Sequence, residues 1–277
     1  MRKDGLLSDR AAASMRTALA LRGTNLGEVE TSSEDLAKIA AALAARRPAG
    51  APFIIGVTGS VASGKSTLAS ALAPVLEAWP GAPKVARFST DGFLLPNHIL
   101  AERGLEARKG FPESYDLVAL ASALSGLRRG PMLIPTYCHI TYDVDPARAR
   151  MVSPPDILIV EGLHLGLDRS AAGPRSTLID TLIYLDAAEE DLESWYVERF
   201  LDLWEEAEHD PDSFYRRFRQ LDRAGVTDVA RAVWAAVNLP NLREYIAPVR
   251  ALADLVVVKR ADHRIEAILE TSDQAPN

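Results

Sequence analysis

Gly59-Ser60-Val61-Ala62-Ser63-Gly64-Lys65-Ser66 sets two glycines, a lysine and a hydroxyl at the spacing of a phosphate-binding loop. Glycines at 59 and 64 permit backbone angles that a side chain would block, so successive N–H groups can turn inward as an anion cradle. Lys65 brings a full positive charge to the outer phosphates of a nucleotide, and the Ser66 hydroxyl is a ligand for Mg²⁺. The pattern has this meaning only between a strand and a helix. Phe53-Ile54-Ile55-Gly56-Val57 ahead of it reads as a buried strand, and Thr67–Leu76 behind it is apolar at helical spacing. That helix would add free N–H groups and the positive end of its dipole.

Two acidic residues stand where a second reactant would meet those phosphates. Lys84–Thr90 reads as a strand that ends at Asp91-Gly92-Phe93, and a carboxylate there can orient or deprotonate an attacking hydroxyl. Asp-Gly also opens turns, and spacing leaves both readings standing. Asp156–Val160 is a further apolar strand ending at Glu161-Gly162, the Walker B arrangement of a carboxylate that holds Mg²⁺. Between the two strands, Tyr137, His139 and Tyr142 suggest a polar-aromatic wall, with Tyr137 and His139 on one face of an extended segment. Arg199, on an amphipathic helix three residues after Tyr196 and four after Trp195, could neutralise charge developing in phosphoryl transfer. Arg216, Arg217, Arg219 and Arg223 read instead as a solvated charged face.

These residues need a scaffold that brings distant strand ends together. Strands are expected at 53–58, 84–90, 133–137, 156–160, 179–185 and 254–258. Helices are expected at 65–78, 97–103, 116–128, 189–206, 212–221, 226–236 and 263–271. Such alternation predicts an α/β fold, a mainly parallel central sheet covered on both faces, with ligands beyond the carboxyl ends of the strands. Ahead of the first strand, Thr31-Ser32-Ser33-Glu34 opens a capped helix, and the first 30 residues are expected to be partly mobile.

Composition narrows the partners. The 277 residues are 48% hydrophobic and carry a formal net charge of −7, which argues against broad nucleic-acid binding. The single cysteine, Cys138, forbids an intrachain disulfide, and the five histidines lack zinc-ligand spacing. No apolar run reaches the about 18 residues of a membrane span, and no signal core follows Met1, so the expected location is cytoplasmic.

The chain resembles the bacterial type I pantothenate kinases, within the phosphoribulokinase/uridine kinase group of P-loop kinases. The likeness is carried by Gly59–Thr67, Thr90–Leu94 with Pro96-Asn97, and above all Lys109-Gly110-Phe111-Pro112-Glu113-Ser114-Tyr115-Asp116. Tyr137–Val144, Pro155–Leu163, Trp195–Leu201, Asp210–Ser213 and Asn238–Leu242 continue it across residues 50–270. The resemblance implies a three-layer P-loop kinase domain over 51–277, with 1–50 as an N-terminal helical extension. It implies ATP-dependent phosphorylation of pantothenate to 4′-phosphopantothenate, the first step toward coenzyme A. By matching positions, Gly59, Ser60, Val61, Ala62, Ser63, Gly64, Lys65, Ser66 and Thr67 would hold ATP and Mg²⁺, with Glu161 on the metal and His263 beside the adenine. Asp91 would be the catalytic carboxylate and Arg199 would meet the transferred phosphate. Tyr137, His139, Tyr142, Tyr196 and Asn238 would line the pantothenate pocket. A homodimer is implied. Feedback-inhibited relatives carry an arginine five residues after the loop lysine, and Ser70 here predicts weak inhibition by coenzyme A. A related nucleoside, sugar or glycerate kinase is the alternative, and a non-enzymatic nucleotide switch a more distant one. No Asn/Thr-Lys-x-Asp guanine motif supports the switch.

Overall fold

The computed structural model describes residues 31–48, 52–167 and 178–271. Residues 1–30, and the mobility expected of them, lie outside the described residues. Strand β1 (Phe53–Gly59) is buried along its whole length. Phe53, Ile55 and Val57 enter one core and Ile54 enters the other, as a period of two requires of a strand covered on both faces. β5 (Ile157–Glu161) divides the same way, with Ile157 and Ile159 on one side and Leu158 and Val160 on the other. With β2 (Val85–Ser89), β6 (Thr181–Asp186), β7 (Leu255–Lys259) and β8 (Ile265–Glu270) they form one sheet in the order β2-β5-β1-β6-β7-β8. Every pair is parallel except β7 with β8.

Helix α1 (Ser33–Ala44) is capped by Ser32, whose hydroxyl accepts the Asp35 N–H at 3.1 Å. It buries Leu36, Ile39, Ala40 and Leu43 in the same core as α2 (Lys65–Glu77). Helices α3 (Asn97–Glu102) and α4 (Leu117–Leu127) follow β2, and Leu120, Ala123, Leu124 and Leu127 of α4 cover the opposite face of the sheet. Helix α5 (Glu189–Glu206) has the predicted bounds. Helix α6 (Arg223–Val233) runs on through widened turns at Trp234–Asn238 and Leu242–Ile246, on either side of Pro240, whose missing N–H interrupts the regular ladder.

Two expected helices fail, one expected strand falls outside the main sheet, and one strand is new. Within 263–271, Ile265–Glu270 form strand β8, because the turn at Asp262-His263 folds them back to pair with the exposed edge of β7. Residues 212–221 hold a short 3₁₀ turn, Phe214–Phe218, in place of a helix. The strand expected at 133–137 is β3 (Met132–Cys138), which lies outside the main sheet. It pairs with β4 (Asp143–Val152), unforeseen because its charged and small residues, buried only at Val152, carry no core-facing pattern.

Candidate active site

The loop between β1 and α2 wraps the ammonium of Lys65, whose Nζ donates to the Ser60 carbonyl at 2.6 Å. A β-carbon on Gly59 would stand 2.5 Å from the Leu185 carbonyl oxygen, so only glycine fits there. Ala62 takes a left-handed φ of 60° at the loop, a strained conformation kept where neighbours impose it. The hydroxyls of Ser60 and Ser63 are buried without a partner among the described residues, leaving their hydrogen bonds for a ligand. Burial pushes the Lys65 ammonium below its ordinary value, and Arg199 adds to this, while Glu161 and Asp91 favour the charged form.

Parallel pairing aligns Glu161 with Ser89 of β2 and Val57 of β1. The Ser66 hydroxyl consequently donates to Glu161 Oε1 at 3.0 Å. Burial raises the Glu161 carboxyl above its usual range, and Lys65 opposes the shift. Asp91 leaves the end of β2 in a single 3₁₀ turn, where the Ser89 hydroxyl accepts its N–H at 3.2 Å. The Tyr115 hydroxyl donates to Asp91 Oδ1 at 3.3 Å. Burial keeps that phenol well above its ordinary range, so it remains a donor.

One cleft is lined by Lys65, Ser66, Asp91, Glu161 and Arg199 and equally by Tyr137, His139, Tyr142, Tyr196 and Asn238. The β3–β4 hairpin supplies Tyr137, His139 and Tyr142, whose rings meet edge to face with centroids 5.1 Å and 6.0 Å apart. Burial lowers the His139 imidazole, so it is mostly neutral near pH 7. The widened turn at Trp234–Asn238 brings Asn238 into the cleft, its buried Nδ2 without a hydrogen-bond partner among the described residues. Leu203, Val233 and Val237 line the same cleft.

His263 is absent from this lining. It sits at φ 64° in the β7–β8 turn, stacked on Trp195 with centroids 4.3 Å apart. The face of the same indole lies 5.1 Å from Nζ of Lys259, at the end of β7, which donates to the Ser63 carbonyl of the phosphate loop at 3.2 Å. Arg216, Arg217, Arg219 and Arg223 are not among the lining residues either. Ser70 donates to the Ser66 carbonyl at 2.7 Å and accepts from the Arg87 guanidinium, so a cation from β2 reaches the position that lacks one in sequence.

Sequence spacing gave no role to four residues that the fold adds. Lys109 Nζ donates to Asn97 Oδ1 and to the Tyr142 carbonyl, both at 2.6 Å, and stands 4.3 Å from the Tyr142 ring centre. Burial lowers its ammonium to about 8, against Asp143 and Asp91. Tyr115, His164 and Asn241 pack behind it through contacts remote in sequence.

The Phosphoribulokinase / Uridine kinase family model matches residues 54–200. A pantothenate kinase of Chelativorans sp. (strain BNC1) is 46% identical over 225 residues, covering 78% of this chain and 70% of that one. Another, of Sorangium cellulosum (strain So ce56), is 47% identical over 227 residues, covering 80% and 74%. A solved structure from Silicibacter sp. TM1040, described provisionally as a fructose transport system kinase, superposes with a TM-score of 0.63 at 26% identity, over 76% of this chain and 94% of that one. Among the described residues no helix is long and apolar enough to cross a membrane.

Proposed function

The chain belongs to the phosphoribulokinase/uridine kinase family, and on that premise we propose that it transfers the γ-phosphoryl group of ATP to the primary hydroxyl of pantothenate, giving 4′-phosphopantothenate. The observation that carries the acceptor side is the shared cleft. Asp91 shares one cleft with the phosphate-loop residues and with aromatic rings, an imidazole and a buried, unpartnered amide. A protein that only bound nucleotide would have no use for the second half.

Asp91 orients the acceptor hydroxyl and takes its proton as the new O–P bond forms and the bond to the bridging oxygen of ADP breaks. Tyr115 holds the carboxylate in place for this. Lys65 and the loop N–H groups bind the phosphates, and Arg199 faces the charge on the transferring group. Ser66 Oγ and Glu161 are hard oxygen donors 3.0 Å apart and fit Mg²⁺, which takes few protein ligands and supplies charge neutralisation when bound. Tyr137, His139, Tyr142 and Tyr196 shape the acceptor end, and Asn238 Nδ2 donates to a carbonyl or carboxylate of the substrate. His263 on Trp195 offers a flat surface to the nucleotide base. A homodimer, a cytoplasmic location and weak inhibition by coenzyme A belong to the same reading. Arg87 beside Ser70 is the group that would strengthen that inhibition.

The test is ADP release from Mg·ATP with pantothenate, uridine, ribulose 5-phosphate and glycerate in parallel, with coenzyme A then added. Turnover with pantothenate alone is expected. Turnover with another acceptor alone moves the substrate and keeps the kinase. Coenzyme A inhibition as tight as in arginine-bearing relatives overturns the inhibition claim.

A further inference from the structure

Gly110 lies in a loop with no regular secondary structure of its own, yet its peptide is held from three sides. Its N–H donates to the Ser114 hydroxyl at 2.9 Å. Its carbonyl accepts from His164 Nε2 at 2.6 Å and from Asn241 Nδ2 at 2.7 Å. His164 follows β5 and Asn241 lies between the two widened turns, so two remote segments converge on one oxygen. The residue before that oxygen is Lys109, whose ammonium enters the cleft. The His164 ring also meets Tyr115 edge-on, with centroids 5.4 Å apart, and Tyr115 holds Asp91.

A carbonyl can only accept, so His164 carries its proton on Nε2. Nδ1 is then a bare acceptor, buried and without a partner among the described residues, as is Asn241 Oδ1. Two buried polar atoms left unmatched lower stability, and an apolar side chain of similar volume would fill the space without that penalty. Stability therefore gives a poor account of the pair, whereas geometry at the cleft gives a direct one. We propose that His164 is a positioning residue for the acceptor side of the cleft, acting on Lys109 through the Gly110 carbonyl and on Asp91 through Tyr115. The proposal rests on the functional reading for the identity of the acceptor, and on the hydrogen bonds alone for the positioning.

Two variants separate the polar contact from the packing. His164→Phe keeps a ring against Tyr115 and removes the donor, while His164→Gln restores a donor to the carbonyl. In His164→Phe, kcat/KM for the acceptor is expected to fall roughly tenfold or more, with KM for ATP within about twofold of wild type. His164→Gln recovers most of the loss. A second readout needs no turnover: the ε-carbon NMR resonance of Lys109, assigned with Lys109→Arg, should move toward that of an exposed lysine in His164→Phe and stay in place in His164→Gln. Acceptor kinetics unchanged in both variants, or acceptor and ATP parameters declining together with Tm in both, overturn the proposal. If the wild-type enzyme is silent with pantothenate, the functional reading fails and the Lys109 resonance still decides the positioning role.

Discussion

Replacing Asp91 by Asn removes one negative charge and one proton acceptor while leaving the shape of the site intact. Asn still offers an oxygen to the Tyr115 hydroxyl, which stands 3.3 Å from the present carboxylate. The phosphate side keeps its own contacts, Lys65 on the Ser60 carbonyl at 2.6 Å and Ser66 on Glu161 at 3.0 Å. A positioned general base typically contributes about 10²–10⁴-fold, so kcat should fall by that factor. At the exchange rate of tenfold per ~1.4 kcal/mol, this adds about 3–5 kcal/mol to the barrier. Nucleotide affinity should move the other way or not at all. Asp91 is an anion facing a polyphosphate, and its charge helps to raise the Glu161 carboxyl, so neutralising it relieves repulsion in the cleft. Steady-state ADP release measures kcat, and isothermal titration with ATP in the absence of acceptor measures affinity. A kcat within tenfold of wild type would refute the role of Asp91. So would ATP binding that weakens in step with turnover, because the carboxylate would then belong to the nucleotide site.

Glu161→Gln removes the carboxylate charge that lies beside Ser66 for a cation, so the Mg²⁺ concentration for half-maximal turnover should rise about tenfold or more, and an unchanged Mg²⁺ titration would remove Glu161 from the metal site. Acid should weaken the fold through His164, whose imidazole burial lowers to about 4. As pH falls from 6.5 toward 4, the unfolded chain takes up a proton that the folded chain refuses, a loss of up to about 3 kcal/mol that is absent above pH 6.5. Urea midpoints at pH 7 and pH 4.5 should therefore differ less in His164→Gln than in wild type, and equal differences would show that His164 does not carry the effect.

The parts legible in sequence were those whose chemistry is local. The phosphate loop announces itself in eight consecutive residues, and α5 carries enough helical periodicity to give both its ends. Asp91 and Glu161 could be read because each follows its own strand-like run. What sequence could not show is the register that sets Ser89 beside Glu161 and so brings those two strand ends together. Strand β4 was missed because it borders solvent and alternates charged with small residues. The six residues of β8 have too little length to reveal their period, and only the free edge of β7 decides it. His164 and Asn241 were invisible for a different reason. Their shared partner, Gly110, lies 54 and 131 residues away, and a hydrogen bond to a backbone carbonyl leaves no side-chain signature in the sequence at that end.

The β3–β4 hairpin stands outside the main sheet, yet it is joined to the base of Asp91 by backbone. A β-carbon on Gly92 would lie 2.2 Å from the Pro135 carbonyl oxygen, so the two chains touch with no side chain between them. The rings of Tyr137, His139 and Tyr142 extend from the far end of that hairpin. Anchorage and recognition are thus written in different alphabets, the first in main-chain atoms and the second in interchangeable side chains. On the proposed reading, the acceptor can be changed by altering the hairpin tip while the distance between the Asp91 carboxylate and the phosphate loop stays as it is.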